Sequence, residues 1–469
     1  MSIELISIVI VLGMITLMVL GLPLAWSIGA VAVVLTLAKF DPQVMVMLVS
    51  RVFDMSLNYT LMAVPLFVLM AAILQRAGVA EQLFQAVHVW AGGLRGGLAI
   101  GTIIANAIMA SIVGIIGAEI VTFGLIALPA MLARKYDDRL ALGSIAAGGG
   151  LATLIPPSVV FIVYAMTAGC SVGELFLAGI VPGLILGAMF IFYVVWHCWR
   201  YPESAPPASR EERNIPLRKK LVSLKELIAP IALATVVLGS MYAGVATPSE
   251  AAGIGVLGAI LAAAGNRRLN WADLRDSLYE TVKISCMLAW LFFAAQTIIG
   301  GYTLSGGTTF VQNALTAMDL GPWGTVIFMQ LIWVFLGCFL DWVGILFLTV
   351  PLFLPIVLKM GFDNVWFGVV FCMNMHISYL SPPFGPSVFY MKSVAPPHVT
   401  TTQIFRAILP YMWWTFVATA IVTAWPNLSL WLPKLLLRHR FRGVGILNGF
   451  VQSSEDRKEF HIRAPALND

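Results

Sequence analysis

Long apolar runs recur along almost the whole chain, and each is too long to fit a small water-soluble core. They cover Ile3–Leu20, Leu24–Ala38, Leu61–Leu74, Gly97–Val113, Ile120–Leu132, Leu140–Ala168 and Leu175–Trp199. After a polar interruption they resume at Leu227 and run through Gly265, then over Ile284–Ile299, Trp323–Leu340, Ile345–Leu358, Trp366–Val394 and Ile408–Leu430. A span of the hydrocarbon core needs about 20 apolar residues. Only 11% of the 469 residues are charged, where a soluble domain carries about 25%. Too few charges remain to cover a surface in water, so the solvent for most of this chain is lipid. The pattern predicts an all-α polytopic membrane protein.

The charges that exist are placed unevenly. Residues 200–225 carry Arg200, Arg210, Arg213, Arg218, Lys219, Lys220 and Lys225 against Glu203, Glu211 and Glu212. Cationic loops face the cytoplasm, so this linker is expected inside, with the 76–95 connection (Arg76, Arg95), the 133–139 turn and the tail after Leu437. The N-terminus has no cationic side chain and is expected on the outer side of the membrane. An odd number of crossings before the linker would set the second half upside down relative to the first. The expected divisions are a first inverted repeat at 1–199, a cytoplasmic linker at 200–226, a second repeat at 227–436 and a polar cytoplasmic tail at 437–469. Phe40–Tyr59, with Asp41, Arg51 and Asp54, reads as an interfacial segment. The first run lacks the cationic start and small-residue cleavage site of a signal peptide.

A shift of 226 residues tests the inversion. Segment 129–164 then lies on 355–390, with seven of 36 positions identical. Pro129 meets Pro355, Asp137 meets Asp363, Pro156-Pro157 meets Pro382-Pro383, and Tyr164 meets Tyr390. The cationic loop Arg134–Arg139 falls on Met360–Val365, which has no cation, as an inverted copy requires.

Both diproline sites interrupt apolar runs, 140–168 and 366–394. Proline lacks an N–H and clashes with the preceding turn, so a pair breaks the helix. The freed carbonyls at membrane depth then need a helix, water or a cation as partner. Matched broken helices in two halves point to the ion and substrate site of a secondary transporter. Gly148-Gly149-Gly150 precedes the first break, with Ala152, Leu154, Pro156 and Ser158 around it. Asn374, Ser378 and Ser381 precede the second, with Pro382 and Gly385 at and after it. These are hard oxygen donors suited to Na⁺ rather than to a transition metal. Intramembrane carboxylates are rare and informative: Glu119 and Asp341 follow turns at similar depth, and are read either as helix caps or as part of the ion path. His376 and Lys392 flank the second break, His376 as a packed histidine or a proton carrier, Lys392 at a hairpin's wet end or on an anion. The five cysteines are scattered without a CxxC pair and read as buried apolar groups. No nucleophile elbow, HExxH, P-loop or dinucleotide fingerprint occurs. The chain therefore reads as no enzyme, with no cofactor, no ATP drive of its own and no nucleic-acid surface.

Several stretches together resemble the large permease (M, or DctM-type) subunit of tripartite ATP-independent periplasmic (TRAP) transporters. They are Val64-Pro-Leu-Phe67 with Gly78, Leu154-Ile-Pro-Pro-Ser158 followed by Tyr164, and Ser171–Gly183. Ala246-Thr-Pro-Ser-Glu-Ala-Ala252, Phe339-Leu-Asp341, Phe353-Leu-Pro-Ile356 and Ser381-Pro-Pro-Phe-Gly385 add to them. The resemblance covers about residues 1–430 in collinear order. It implies an elevator-type, Na⁺-coupled carrier with two re-entrant hairpins, a small four-helix membrane subunit, and a periplasmic binding protein that delivers a small organic acid. It implies sodium ligation at Gly149, Ala152, Leu154, Asn374, Ser378, Ser381 and Gly385. Where the family shows Ser-Gly-Ser before its first carboxylate, this chain reads Ser111-Ile-Val-Gly-Ile-Ile-Gly117, leaving Ser111 and Gly114 to keep that role. The competing expectation is a stand-alone proton-coupled organic anion carrier using Glu119, Asp341 or His376.

Overall fold

The computed structural model describes residues 2–41, 43–91, 93–114, 116–206, 215–382 and 385–437. The tail from 438, linker residues 207–214 and Pro383 lie outside the described residues. Among the described residues the structure is helical, with no strand. The helices are α1 (Ile3–Val19), α2 (Leu24–Lys39), α3 (Gln43–Ser56), α4 (Ala63–Arg76), α5 (Val79–Ala91), α6 (Gly97–Val113) and α7 (Ile116–Ala133). Then follow α8 (Asp138–Gly149), α9 (Val159–Ala168), α10 (Val172–Arg200) and the short α11 (Leu217–Ser223). The second half continues with α12 (Lys225–Tyr242), α13 (Pro248–Gly265), α14 (Trp271–Leu304), α15 (Gly307–Ala317) and α16 (Gly321–Gly337). It ends with α17 (Trp342–Lys359), α18 (Asn364–Leu380), α19 (Pro386–Val394) and α20 (Thr401–Ala424).

Among the described residues seven helices are long and apolar enough to cross a membrane, and several shorter ones are as apolar. Large apolar side chains such as Leu12, Trp26, Leu257, Trp290 and Trp413 stay exposed on their outer faces. Lipid accepts them where water would not.

Both long runs break where the proline pairs fall. The first half's helices also recur in the second at a shift of 226. Thus α6 and α16, α7 and α17, α8 and α18, α9 and α19, and α10 and α20 begin within a few residues of equivalent positions. Equivalent aspartates cap α8 and α18. Asp137 accepts from the Arg139 N–H at 2.7 Å, and Asp363 from those of Val365 at 2.8 Å and Trp366 at 3.2 Å. The packing is exchanged between halves. The return arm α9 lies on α17, and its counterpart α19 lies on α7; likewise α10 packs on α18 and α20 on α8. Each half therefore completes the other's core.

Three details differ from the sequence reading. The 227–265 run is two helices, because Gly244 takes a left-handed φ of +71° and Thr247-Pro248 starts α13 with a capping box to Glu250. The 76–95 connection between the runs Leu61–Leu74 and Gly97–Val113 contains α5, and the linker contains α11, whose Lys220 carbonyl accepts from Trp90 Nε1 at 3.1 Å. The Ile284–Ile299 run is the middle of the 34-residue α14.

Trp333 anchors the interior of the second half. It is fully buried against Phe353, Phe367 and Phe371, with ring centroids 6.0, 5.0 and 5.1 Å away, and its Nε1 donates to Thr349 Oγ1 at 2.8 Å. Thr349→Val keeps the shape but strands the indole N–H, so the thermal unfolding midpoint of purified protein should fall by the equivalent of about 1–3 kcal/mol.

Candidate functional site

The first break begins as α8 tightens into a 3₁₀ turn over Gly150–Thr153. Backbone amides of Leu154 and Ile155 both donate to Leu151 O, at 3.0 and 2.9 Å, and the chain then leaves the helix. The Pro156-Pro157 bond is cis. Ser158, extended at the head of α9 and buried, donates its hydroxyl to Thr153 O at 2.9 Å. Gly114, left-handed at the end of α6, sits so close that a β-carbon there would collide with Pro157 O. The α6–α7 break and the first hairpin tip thus touch. Gly149 serves close packing, since a β-carbon would lie 3.1 Å from Ile120 N on α7. Ala152 is buried, and Leu154 O is turned toward Gly179 of α10, 2.6 Å from where a β-carbon would stand.

The second break is built from a ladder of hydroxyls. Ser378 Oγ donates to Asn374 O and Ser381 Oγ to Ser378 O, both at 3.0 Å. Ser381 is buried and the adjacent Pro382 is exposed. Gly385 starts α19, and a β-carbon on it would lie 2.7 Å from Ser381 O and 2.9 Å from Tyr379 O. Two carbonyls therefore converge on a face kept open by glycine. Gly337, the last residue of α16, gives the same close approach to the Ser378 hydroxyl. Asp341 occupies the N-cap position of α17 without a side-chain capping hydrogen bond.

His376 joins the two breaks. Its ring is fully buried, with Nδ1 2.8 Å from Gly150 O and 3.3 Å from Thr153 Oγ1. Gly150 O can only accept, so Nδ1 carries the hydrogen and Nε2, which has no partner among the described residues, is left as an acceptor. The histidine is packed, and it also ties α18 to the first break.

Glu119 is not a helix cap. It lies in the first turn of α7, 1% exposed, and neither carboxyl oxygen has a hydrogen-bond partner among the described residues. Ser111 is one turn before Gly114, bonded to Ile108 O at 2.6 Å. It lines, with Ile155, a mostly apolar cavity of about 720 Å³ between α6, α10 and α12. Lys392 lies apart from the breaks at the end of α19, half-buried, and donates to Val399 O at 2.5 Å.

The structure adds residues that the sequence reading passed over. Gln330, in the middle of α16, accepts from Asn374 Nδ2 at 3.2 Å and from Thr423 Oγ1 at 3.3 Å. Its signal was visible: it is the one amide in the apolar stretch Val326–Phe335. Thr153 was masked by the prolines beside it. Among the described residues no cluster of His, Cys, Asp or Glu could hold a metal ion. What the two breaks offer is carbonyl and hydroxyl oxygen.

Comparison with known proteins decides the family. Residues 11–428 match the DctM component of tripartite ATP-independent periplasmic transporters. The chain belongs to this family. It is similar to the C4-dicarboxylate TRAP transporter large permease protein of Pseudomonas aeruginosa, 32% identical over 405 residues, covering 86% of this chain and 92% of that one. It is also similar to the sialic acid TRAP transporter large permease protein of Vibrio cholerae, 30% identical over 387 residues, covering 81% and 87%. Among solved structures it resembles the YdaH transporter of Alcanivorax borkumensis, described as having an unusual topology, with a TM-score of 0.55, 16% identity and coverage of 84% and 90%. At that identity the likeness concerns the fold. As a DctM-family chain this is a membrane transporter component and not an enzyme.

Two substitutions test the site. A β-carbon on Gly150 would lie 2.5 Å from His376 Cε1. Gly150→Ala should therefore destabilise by about 1–3 kcal/mol through overpacking, read as a lowered thermal midpoint. Glu119→Met replaces an unpartnered buried carboxyl by an apolar group of similar length. The thermal midpoint should stay level or rise, and a fall of several degrees would reveal a hydrogen-bond partner for the carboxyl.

Proposed function

We propose that this chain is the permease subunit of a sodium-driven uptake system for a small organic acid in a bacterial inner membrane. The observation that carries the reading is the pair of matched helix breaks, each lined by hydroxyl and carbonyl oxygens and linked through His376. In this reading Na⁺ binds at Asn374, Ser378, Ser381 and Gly385 in the second break, beside Pro382. A second ion binds at the first, near Gly149, Ala152, Leu154, Pro156 and Ser158, with Ser111 and Gly114 completing the wall. The substrate carboxylate sits between them, with Asp341 on the path. Hard oxygens without net charge suit a monovalent hard cation, and a bound cation offsets the cost of an anion at membrane depth.

The relatives support the substrate class, since the Pseudomonas aeruginosa protein is named for C4-dicarboxylates and the Vibrio cholerae protein for sialic acid. Both are organic acids. The tripartite family supports two partners, a small four-helix membrane subunit and a periplasmic substrate-binding protein. The shift of 226 residues supports two repeats, 1–199 and 227–436, joined by a cytoplasmic linker at 200–226, with the 437–469 tail inside and the N-terminus outside. The exchanged packing of α7–α10 with α17–α20 supports a body that moves as a unit, as an elevator requires.

Uptake by proteoliposomes holding this chain and its small membrane subunit, supplied with the binding protein loaded with organic acid, is expected to require an inward Na⁺ gradient. Ser381→Ala should raise the Na⁺ concentration for half-maximal uptake while leaving the amount of inserted protein unchanged. The orphaned Glu119 carboxyl favours the stand-alone proton-coupled reading. Uptake driven equally by a proton gradient with no Na⁺ and no binding protein would establish that alternative.

A further inference from the structure

The geometry points to Gln330 as the residue that orients Asn374 as a cation ligand, an inference that rests on the sodium reading above. Asn374 is 1% exposed. Its Nδ2 lies 2.8 Å from Val370 O, a carbonyl that can only accept, and this fixes which end of the amide faces that way. The second Nδ2 hydrogen is taken by Gln330 Oε1 at 3.2 Å. Gln330 must itself present oxygen, and Thr423 holds it so by donating its hydroxyl to the same Oε1 at 3.3 Å. Both donors of Asn374 are then spent on fixed acceptors. Its Oδ1 accepts no hydrogen bond from any described residue and is left as a ligand. The three side chains come from α16, α18 and α20 and line a cavity of about 570 Å³.

The device belongs to one half only. At the shift of 226 residues, Gln330 corresponds to Ile104, Asn374 to Gly148 and Thr423 to His197. Nothing in the first half reproduces the amide pair, so it is not a feature that the repeat enforces for packing. A residue in second contact with a bound ion acts by setting the ligand's orientation, and its loss weakens binding without removing a ligand.

The test is a Na⁺ titration of thermal unfolding, with choline keeping ionic strength constant, on the purified full chain in detergent. Gln330→Met keeps length and loses the acceptor. It should raise the Na⁺ midpoint by about 10-fold or more, the scale seen for outer-shell partners, while leaving the shift at saturating Na⁺ intact. Gln330→Glu keeps an acceptor oxygen and, when ionised, adds a charge that attracts the cation, so it should hold the midpoint at or below the wild-type value. Thr423→Val, which frees Gln330 to turn, should move the midpoint in the same direction by less, and serves if Gln330→Met does not fold. A structural role would instead lower the unfolding temperature equally at every Na⁺ concentration, and that result overturns the assignment. A rise of the midpoint in Gln330→Glu as large as that in Gln330→Met also overturns it. A wild-type protein that Na⁺ stabilises no more than choline overturns the sodium reading beneath it.

Discussion

Backbone hydrogen bonding inside an apolar solvent governs this molecule. A continuous helix satisfies its own N–H and C=O groups, and a broken one cannot. The chain breaks two long apolar runs at equivalent places, so the ends of α8 and α18 each release carbonyls among buried, mostly apolar side chains. Everything near the breaks answers that demand. Ser158, Ser378 and Ser381 donate hydroxyls back to carbonyls, and His376 donates across to Gly150. Glycines 114, 337 and 385 let oxygens approach where a β-carbon would exclude them. Where the Ser381 and Tyr379 carbonyls converge on Gly385, oxygen faces a space that a β-carbon would fill, and that is the kind of oxygen a cation would use.

The exchanged packing keeps such an interrupted structure stable. Short return arms such as α9 and α19, of 10 and 9 residues, would be marginal helices alone. Each is instead laid on a full helix of the opposite half, α17 and α7. Gly117 and Gly124 let α19 lie close on α7, where its Tyr390, Met391 and Val394 fill the space. The breaks are therefore held by long-range contacts rather than by local propensity.

Much of this was legible in the residues. Apolar runs gave the helices, because lipid removes the need for a polar face and leaves hydrophobicity as the whole signal. Adjacent prolines gave the breaks, because their chemistry is local. The turn at 243–247 was harder, since Ala-Gly-Val-Ala is itself apolar and only Gly244's left-handed backbone and the Thr247 cap end the helix there. Helix α5 was read as a connection because Glu81, Gln82, Gln85 and His88 dilute its apolar face. Gln330 was missed for a different reason. Its meaning lies in Asn374 and Thr423, 44 and 93 residues away, and no local pattern carries a relation of that kind.

The meeting of His376 with Gly150 has a consequence of its own. These positions are 226 residues apart, the same interval that relates the two halves, so each touches its own counterpart. In a dimer of two identical halves, any side chain at such a place would confront its twin, and a histidine would have to share the space with a second histidine. Joining the halves in one polypeptide lifts that restriction. One copy can give up its side chain altogether, and the other can fill the vacated centre with a polar ring.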